Sequence, residues 1–114
     1  MKIYGIGTDI ISVKRIRSSL NKKIFINRIF NKQEILKCRK VTTQYNCYAK
    51  RFAAKEAFSK ALGTGISNGI KFNEITVLNN KLGKPYINLK VETKKIIKKI
   101  FKQKKTKISL SLSD

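Results

Sequence analysis

The chain has 114 residues, 41% of them hydrophobic, and 27 Lys+Arg stand against 6 Asp+Glu for a formal charge of +21. That length fits one small domain, 1–114, with a modest core, and the charge, part of it a compositional bias toward lysine, points to a polyanionic partner: nucleic acid, anionic membrane, acidic protein or phosphorylated metabolite. There is no His, so the usual general base and commonest metal ligand are excluded.

The opening stretch "MKIYGIGTDII" has neither a long apolar core nor a small-residue cleavage site, so it is not read as a signal peptide. No segment reaches the apolar length of a membrane span, and a cytoplasmic location is expected. Residues 3–11 read as a strand, one face being Ile3, Gly5, Gly7 and Asp9. Ser12 then caps a helix with Val13, Ile16 and Leu20 inward. A basic stretch holding Ile24, Phe25, Ile29 and Phe30 follows. Asn31 and Glu34 form a variant capping box ahead of "ILKC". Residues 40–47 read as loop, and Cys38 and Cys47 as free, buried thiols of a reducing compartment, too few for zinc.

Residues 48–62 form the clearest helix. Ala53, Ala54, Ala57, Phe58, Ala61 and Leu62 fill one side, and Lys55, Glu56, Ser59 and Lys60 the other, with Gly63 as a left-handed stop. "NEITVL" (73–78) and "YINLKV" (86–91) predict a hairpin across "NNKLGKP". Residues 92–103 predict a helix with Ile96, Ile97, Ile100 and Phe101 inward. "KISLSLSD" alternates as a strand, and the mixed order of elements gives an α+β class.

Two readings of Glu56 stand side by side. It is an exposed pair with Lys60 one turn on, or it meets Asp9 across a close contact between the small-sided helix and the glycine face of the first strand. Two carboxylates completed by water and phosphate oxygens suit Mg²⁺. Asp9 has no evident local task, because Ser12 is the better-placed cap. "GTGISNG" follows a helix rather than a strand, so it is not a dinucleotide fingerprint. A glycine-rich backbone there, or at "LGKP", still offers N–H groups to a phosphate, although a plain turn accounts for each.

The motifs "GIGTDI" (5–10), "RFAAKEAFSKALGTGI" (51–66), "GKP" (83–85) and "SLSD" (111–114) occur in an order and spacing similar to bacterial holo-acyl-carrier-protein synthase, the short class of 4′-phosphopantetheinyl transferases. The resemblance covers essentially the whole chain. It implies a small α+β domain with an antiparallel sheet packed with helices. It also implies transfer of 4′-phosphopantetheine from coenzyme A to a carrier-protein serine, with release of adenosine 3′,5′-bisphosphate, for fatty acid biosynthesis. Asp9 and Glu56 become Mg²⁺ ligands, and Glu56 and Lys60 the catalytic pair. Arg51, Lys60, Gly63, Thr64, Gly65, Gly83, Lys84, Pro85, Ser111 and Asp114 fall along the coenzyme A site. The proton acceptor is a metal-bound water, Glu56 or Glu34; helix capping remains the first reading of Glu34.

The resemblance further implies a homotrimer with active sites between subunits, acting on neither nucleic acid nor membrane. Acidic acyl carrier protein docks on the helix carrying Lys14, Arg15 and Arg17, with Arg15 the key basic position and Arg28 beyond. Family members continue past "S-x-S-D/H" into a closing β-strand, often "YAxAxV", that this sequence lacks, so an open sheet edge is expected. Two rival readings remain: a small basic nucleic-acid-binding protein, and an inactive relative that only binds carrier protein.

Overall fold

The computed structural model describes residues 2–63, 69–103 and 105–113. Among them are five α-helices and one antiparallel two-stranded sheet. Helix α1 (Val13–Ser19) starts where Ser12 Oγ accepts from Arg15 N at 3.4 Å, and it buries Ile16. Helix α2 (Lys23–Ile29) occupies the stretch read only as basic, and Ile29 and Phe30 turn inward. Helix α3 (Lys32–Arg39) opens on the predicted capping box, Asn31 Oδ1 accepting from Glu34 N and Glu34 Oε1 from Asn31 N. Helix α4 (Gln44–Leu62) is 19 residues long and stops at Gly63, whose φ of 78° a Cβ would disfavour.

Strands β1 (Ile75–Asn79) and β2 (Pro85–Leu89) pair from Ile75↔Leu89 to Asn79↔Pro85. Helix α5 (Val91–Phe101) buries Thr93 and Ile97 and turns its lysines outward. Two hydrophobic clusters result. One gathers Ile16, Leu20, Ile29, Phe30, Tyr48 and Ala49. The other gathers Phe58, Leu62, Ile70, Ile75, Leu89 and Ile97. Helix α4 supplies residues to both, so it is the axis of the domain.

Three expectations are corrected. First, residues 2–11 and 105–113 enter no ladder among the described residues. The period-2 pattern is nonetheless legible in burial, with Ile108, Leu110 and Leu112 half-buried and the serines between them exposed. Alternation specifies which side chains face inward, whereas a strand also needs a hydrogen-bonding neighbour. Second, residues 44–47 of the expected loop form the first turn of α4. Third, Cys38 and Cys47 are disulfide-bonded rather than free. The short turn between α3 and α4 brings their Cα atoms to 5.5 Å, inside the span a disulfide bridges.

Candidate active site

Residues 5–9 lie along α4 because two glycines permit it. A Cβ on Gly7 would overlap the Ala57 carbonyl oxygen and come within 2.8 Å of Ala61 N; one on Gly5 would overlap the Ala61 carbonyl. Two residues of extended chain advance about 7 Å and four helical residues about 6 Å. Gly5 opposite Ala61 and Gly7 opposite Ala57 therefore set an antiparallel register. Continued by two residues, it carries Asp9 toward the turn of α4 that holds Glu56.

Lys60 closes this contact. Its Nζ donates to Asp9 Oδ1 at 2.9 Å and to the Thr8 carbonyl at 3.2 Å. Lys60 sits one helical turn after Glu56, so Asp9, Glu56 and Lys60 share a side of α4. The sequence-level alternative, a Glu56–Lys60 pair, does not form, because Lys60 turns to Asp9 instead. Glu56 is half-buried, and among the described residues nothing pairs with its carboxylate. Also among the described residues, no three or more His, Cys, Asp or Glu gather into a metal cluster. Two hard carboxylates fit a divalent ion only if water or phosphate oxygens complete its shell, which is how Mg²⁺ is commonly held.

Behind this face lies a buried polar hub that the helical wheel missed. The wheel puts Lys55 on the outer side, yet it is fully buried, as is Glu34. Lys55 Nζ donates to Glu34 Oε1 at 2.7 Å and to the carbonyls of Phe72 and Ile75 at 2.8 and 2.6 Å. Glu34 Oε2 accepts from Val77 N at 3.0 Å. Burial pushes the Lys55 ammonium below its ordinary pKa, and the Glu34 carboxylate opposes that shift. With both Glu34 oxygens engaged and sealed from solvent, it is not placed to accept a proton from substrate; its capping role stands.

Arg51 is also interior, 4% exposed. Its Nη1 donates to the Cys47 carbonyl and Sγ, both at 3.2 Å, and its Nη2 to Asn79 Oδ1 at 3.1 Å, while Nε is buried with no partner among the described residues. Burial lowers its pKa, with Glu34 opposing. Gly83 and Lys84 are exposed and Pro85 half-buried at the β1–β2 turn, where Gly83 takes a φ of 86°. Arg15 is exposed beside an open hollow lined by Ile10, Ile11, Phe25 and Phe52. Gly63 ends α4 in the open, and Ser111 is exposed in the C-terminal segment. Thr64, Gly65 and Asp114 lie outside the described residues. Lys60 is thus brought to Asp9 one helical turn from Glu56, whereas Arg51 belongs to the interior link between α4 and β1.

A sequence model of the 4′-phosphopantetheinyl transferase superfamily matches residues 5–112. The holo-[acyl-carrier-protein] synthase of Pelagibacter ubique is 51% identical over 114 residues, covering 100% of this chain and 89% of the relative. The solved holo-[acyl-carrier-protein] synthase from Neisseria meningitidis superposes with a TM-score of 0.88 at 41% identity, over 99% of this chain and 90% of that one. The Bacillus anthracis holo-(acyl-carrier-protein) synthase, solved in complex with CoA (3′,5′-ADP), gives a TM-score of 0.70 at 41% identity, over 79% of this chain and 78% of that one. Motifs, fold and relatives agree along nearly the full length, and the chain belongs to the 4′-phosphopantetheinyl transferase superfamily, with the holo-acyl-carrier-protein synthases.

Proposed function

We infer that the chain transfers 4′-phosphopantetheine from coenzyme A to a serine of apo acyl carrier protein, releasing adenosine 3′,5′-bisphosphate. The observation that carries the site assignment is the register of Gly5 and Gly7 on α4, which turns Asp9 and Lys60 toward each other beside Glu56. In this reading Asp9 and Glu56 would hold Mg²⁺, with water and phosphate oxygens completing its shell. The ion, when bound, neutralises charge on the pyrophosphate. Lys60 exchanges its contact with Asp9 for the departing phosphate. The carrier serine oxygen attacks the phosphorus attached to pantetheine, and the bond from that phosphorus to the adenosine 3′,5′-bisphosphate oxygen breaks. The serine proton passes to Glu56 or to a water beside it. No His is needed.

Self-association is the second part of the reading. Ile3, Ile6 and Ile10 are 75%, 82% and 94% exposed in the segment that carries Asp9. Such an apolar run beside the site supports subunits meeting there, and the resemblance makes the assembly a trimer with shared sites. The exposed Arg15 on α1, with Lys14 and Arg17 beside it, supports carrier docking next to Asp9. No helix among the described residues is long and apolar enough to cross a membrane; a cytoplasmic site of action remains part of this proposal.

Labelled pantetheine transfer from coenzyme A to apo carrier protein, with and without Mg²⁺, tests the reading. Mg²⁺-dependent labelling of the serine is expected. Folded protein that gives no labelling but retains random RNA at physiological salt would overturn it in favour of a nucleic-acid binder. Arg15→Glu should raise the KM for carrier protein and leave that for coenzyme A nearly unchanged, since rim charges act mainly on encounter.

A further inference from the structure

The β1–β2 turn is held in an unusual way. Leu82 at its tip is 95% exposed, and a Cβ built on Gly83 would meet nothing within 4 Å. No side-chain packing therefore restrains this part of the loop. Asn80 organises it from within, its Oδ1 accepting from Leu82 N and Lys84 N at 3.0 and 2.9 Å. Those bonds, with Asn80 N donating to the Lys84 carbonyl at 2.9 Å and Gly83 N to the Asn80 carbonyl at 3.0 Å, shape the turn and close it on the ladder. The tie to the interior is Asn79. Its Nδ2 donates to the Gly83 carbonyl at 3.1 Å, and its Oδ1 accepts from Arg51 Nη2, also at 3.1 Å. Arg51 is itself fixed to the Cys47 carbonyl inside the domain. One amide thus bridges a buried guanidinium on α4 to an exposed carbonyl at the apex of the turn.

We propose that Asn79 is a positioning residue for coenzyme A, aiming the Gly83–Pro85 turn by linking its Gly83 carbonyl to the buried Arg51. The proposal rests on the reading that this turn borders coenzyme A. Arg51 then acts on the ligand through Asn79 and the turn, which reconciles its interior position with its membership of the coenzyme A motif. A flexible loop that must be ordered on binding weakens affinity, and a pre-aimed one does not.

The two faces of the amide can be separated. Asn79→Asp keeps an oxygen for Arg51 and makes that contact an ion pair, but it replaces the donor to Gly83 with a second acceptor. Melting temperature should hold at or above wild type, while the KM for coenzyme A rises about fivefold, the equivalent of one neutral hydrogen bond. kcat and the KM for carrier protein should stay near wild type, because only the coenzyme A side is disturbed. Asn79→Ala should lower the melting temperature and raise the coenzyme A KM together, since it also strands Nη2 of Arg51. A purely structural role predicts that Asp restores everything Ala loses; a wild-type coenzyme A KM in Asn79→Asp overturns the proposal. Lys84→Ala shows which premise failed. If it raises the coenzyme A KM while Asn79→Asp does not, the turn borders coenzyme A and Asn79 does not aim it. If neither variant moves that KM, the placement of the turn falls as well.

Discussion

Replacing Lys55 by Met removes the centre of the buried hub while nearly preserving side-chain length. Glu34 then loses its paired ammonium while still sealed from water. Breaking a buried pair from one side costs about 3–5 kcal/mol, a large part of the roughly 5–15 kcal/mol that stabilises a domain. Many buried pairs are rescued by replacing both partners with apolar side chains. This one should not be. Lys55 also serves the carbonyls of Phe72 and Ile75, and Glu34 the amides of Asn31 and Val77. The double change Lys55→Met with Glu34→Leu orphans the Ile75 carbonyl and the Asn31 and Val77 amides, the Phe72 carbonyl keeping its bond from Ile75 N, each orphan costing about 1–3 kcal/mol. Urea denaturation followed by circular dichroism should show Lys55→Met strongly destabilised and the double variant no better. Recovery of the wild-type midpoint in the double variant would refute the assignment of the pair as a backbone anchor.

Gly7→Ala should lower stability by about 1–3 kcal/mol, as overpacking does, and should depress transfer, since its Cβ would overlap the Ala57 carbonyl oxygen; thermal melts and initial rates check this. Glu56→Gln should abolish transfer at limiting Mg²⁺ without lowering the melting temperature, because among the described residues its carboxylate has no partner to lose. Coenzyme A with Mg²⁺ should raise the melting temperature, since a ligand bound only by the native state stabilises it, and adenosine 3′,5′-bisphosphate should raise it less; no shift with either counts against the enzyme reading.

Local chemistry was the part most legible in the sequence. Ser12, the Asn31–Glu34 box, the Gly63 stop and the "NNKLGKP" hairpin each depend on residues within a few positions, and each forms as expected. The close approach of Gly5 and Gly7 to α4 was also legible, because the absence of side chains on one surface and alanines on the other leaves the same gap from both sides. What escaped were choices made across long separations. Lys55 looks like its neighbour Lys60 on a helical wheel, and it is Glu34, 21 residues earlier, with the Phe72 and Ile75 carbonyls, that draws it inward. Arg51 finds Asn79 28 positions away. Two half-cysteines nine apart read as thiols until the turn between α3 and α4 is built. The alternation at the chain ends shows which faces are apolar without naming the edge they meet.

Helix α4 has a consequence for how the chain acquires its structure. Its first half walls the cluster built by residues before it, and its second half walls the cluster built by residues after it. Neither cluster closes without it, so no fragment that omits residues 44–62 holds a complete core. The cores of the two halves of the chain therefore share this helix as a common wall. Native-state hydrogen exchange should show one slow, shared opening for amides around Ala54 to Phe58, with faster local fraying toward both termini. Because Glu56 lies within that segment, the carboxylate proposed to hold the metal would be mounted on the last part of the protein to come apart.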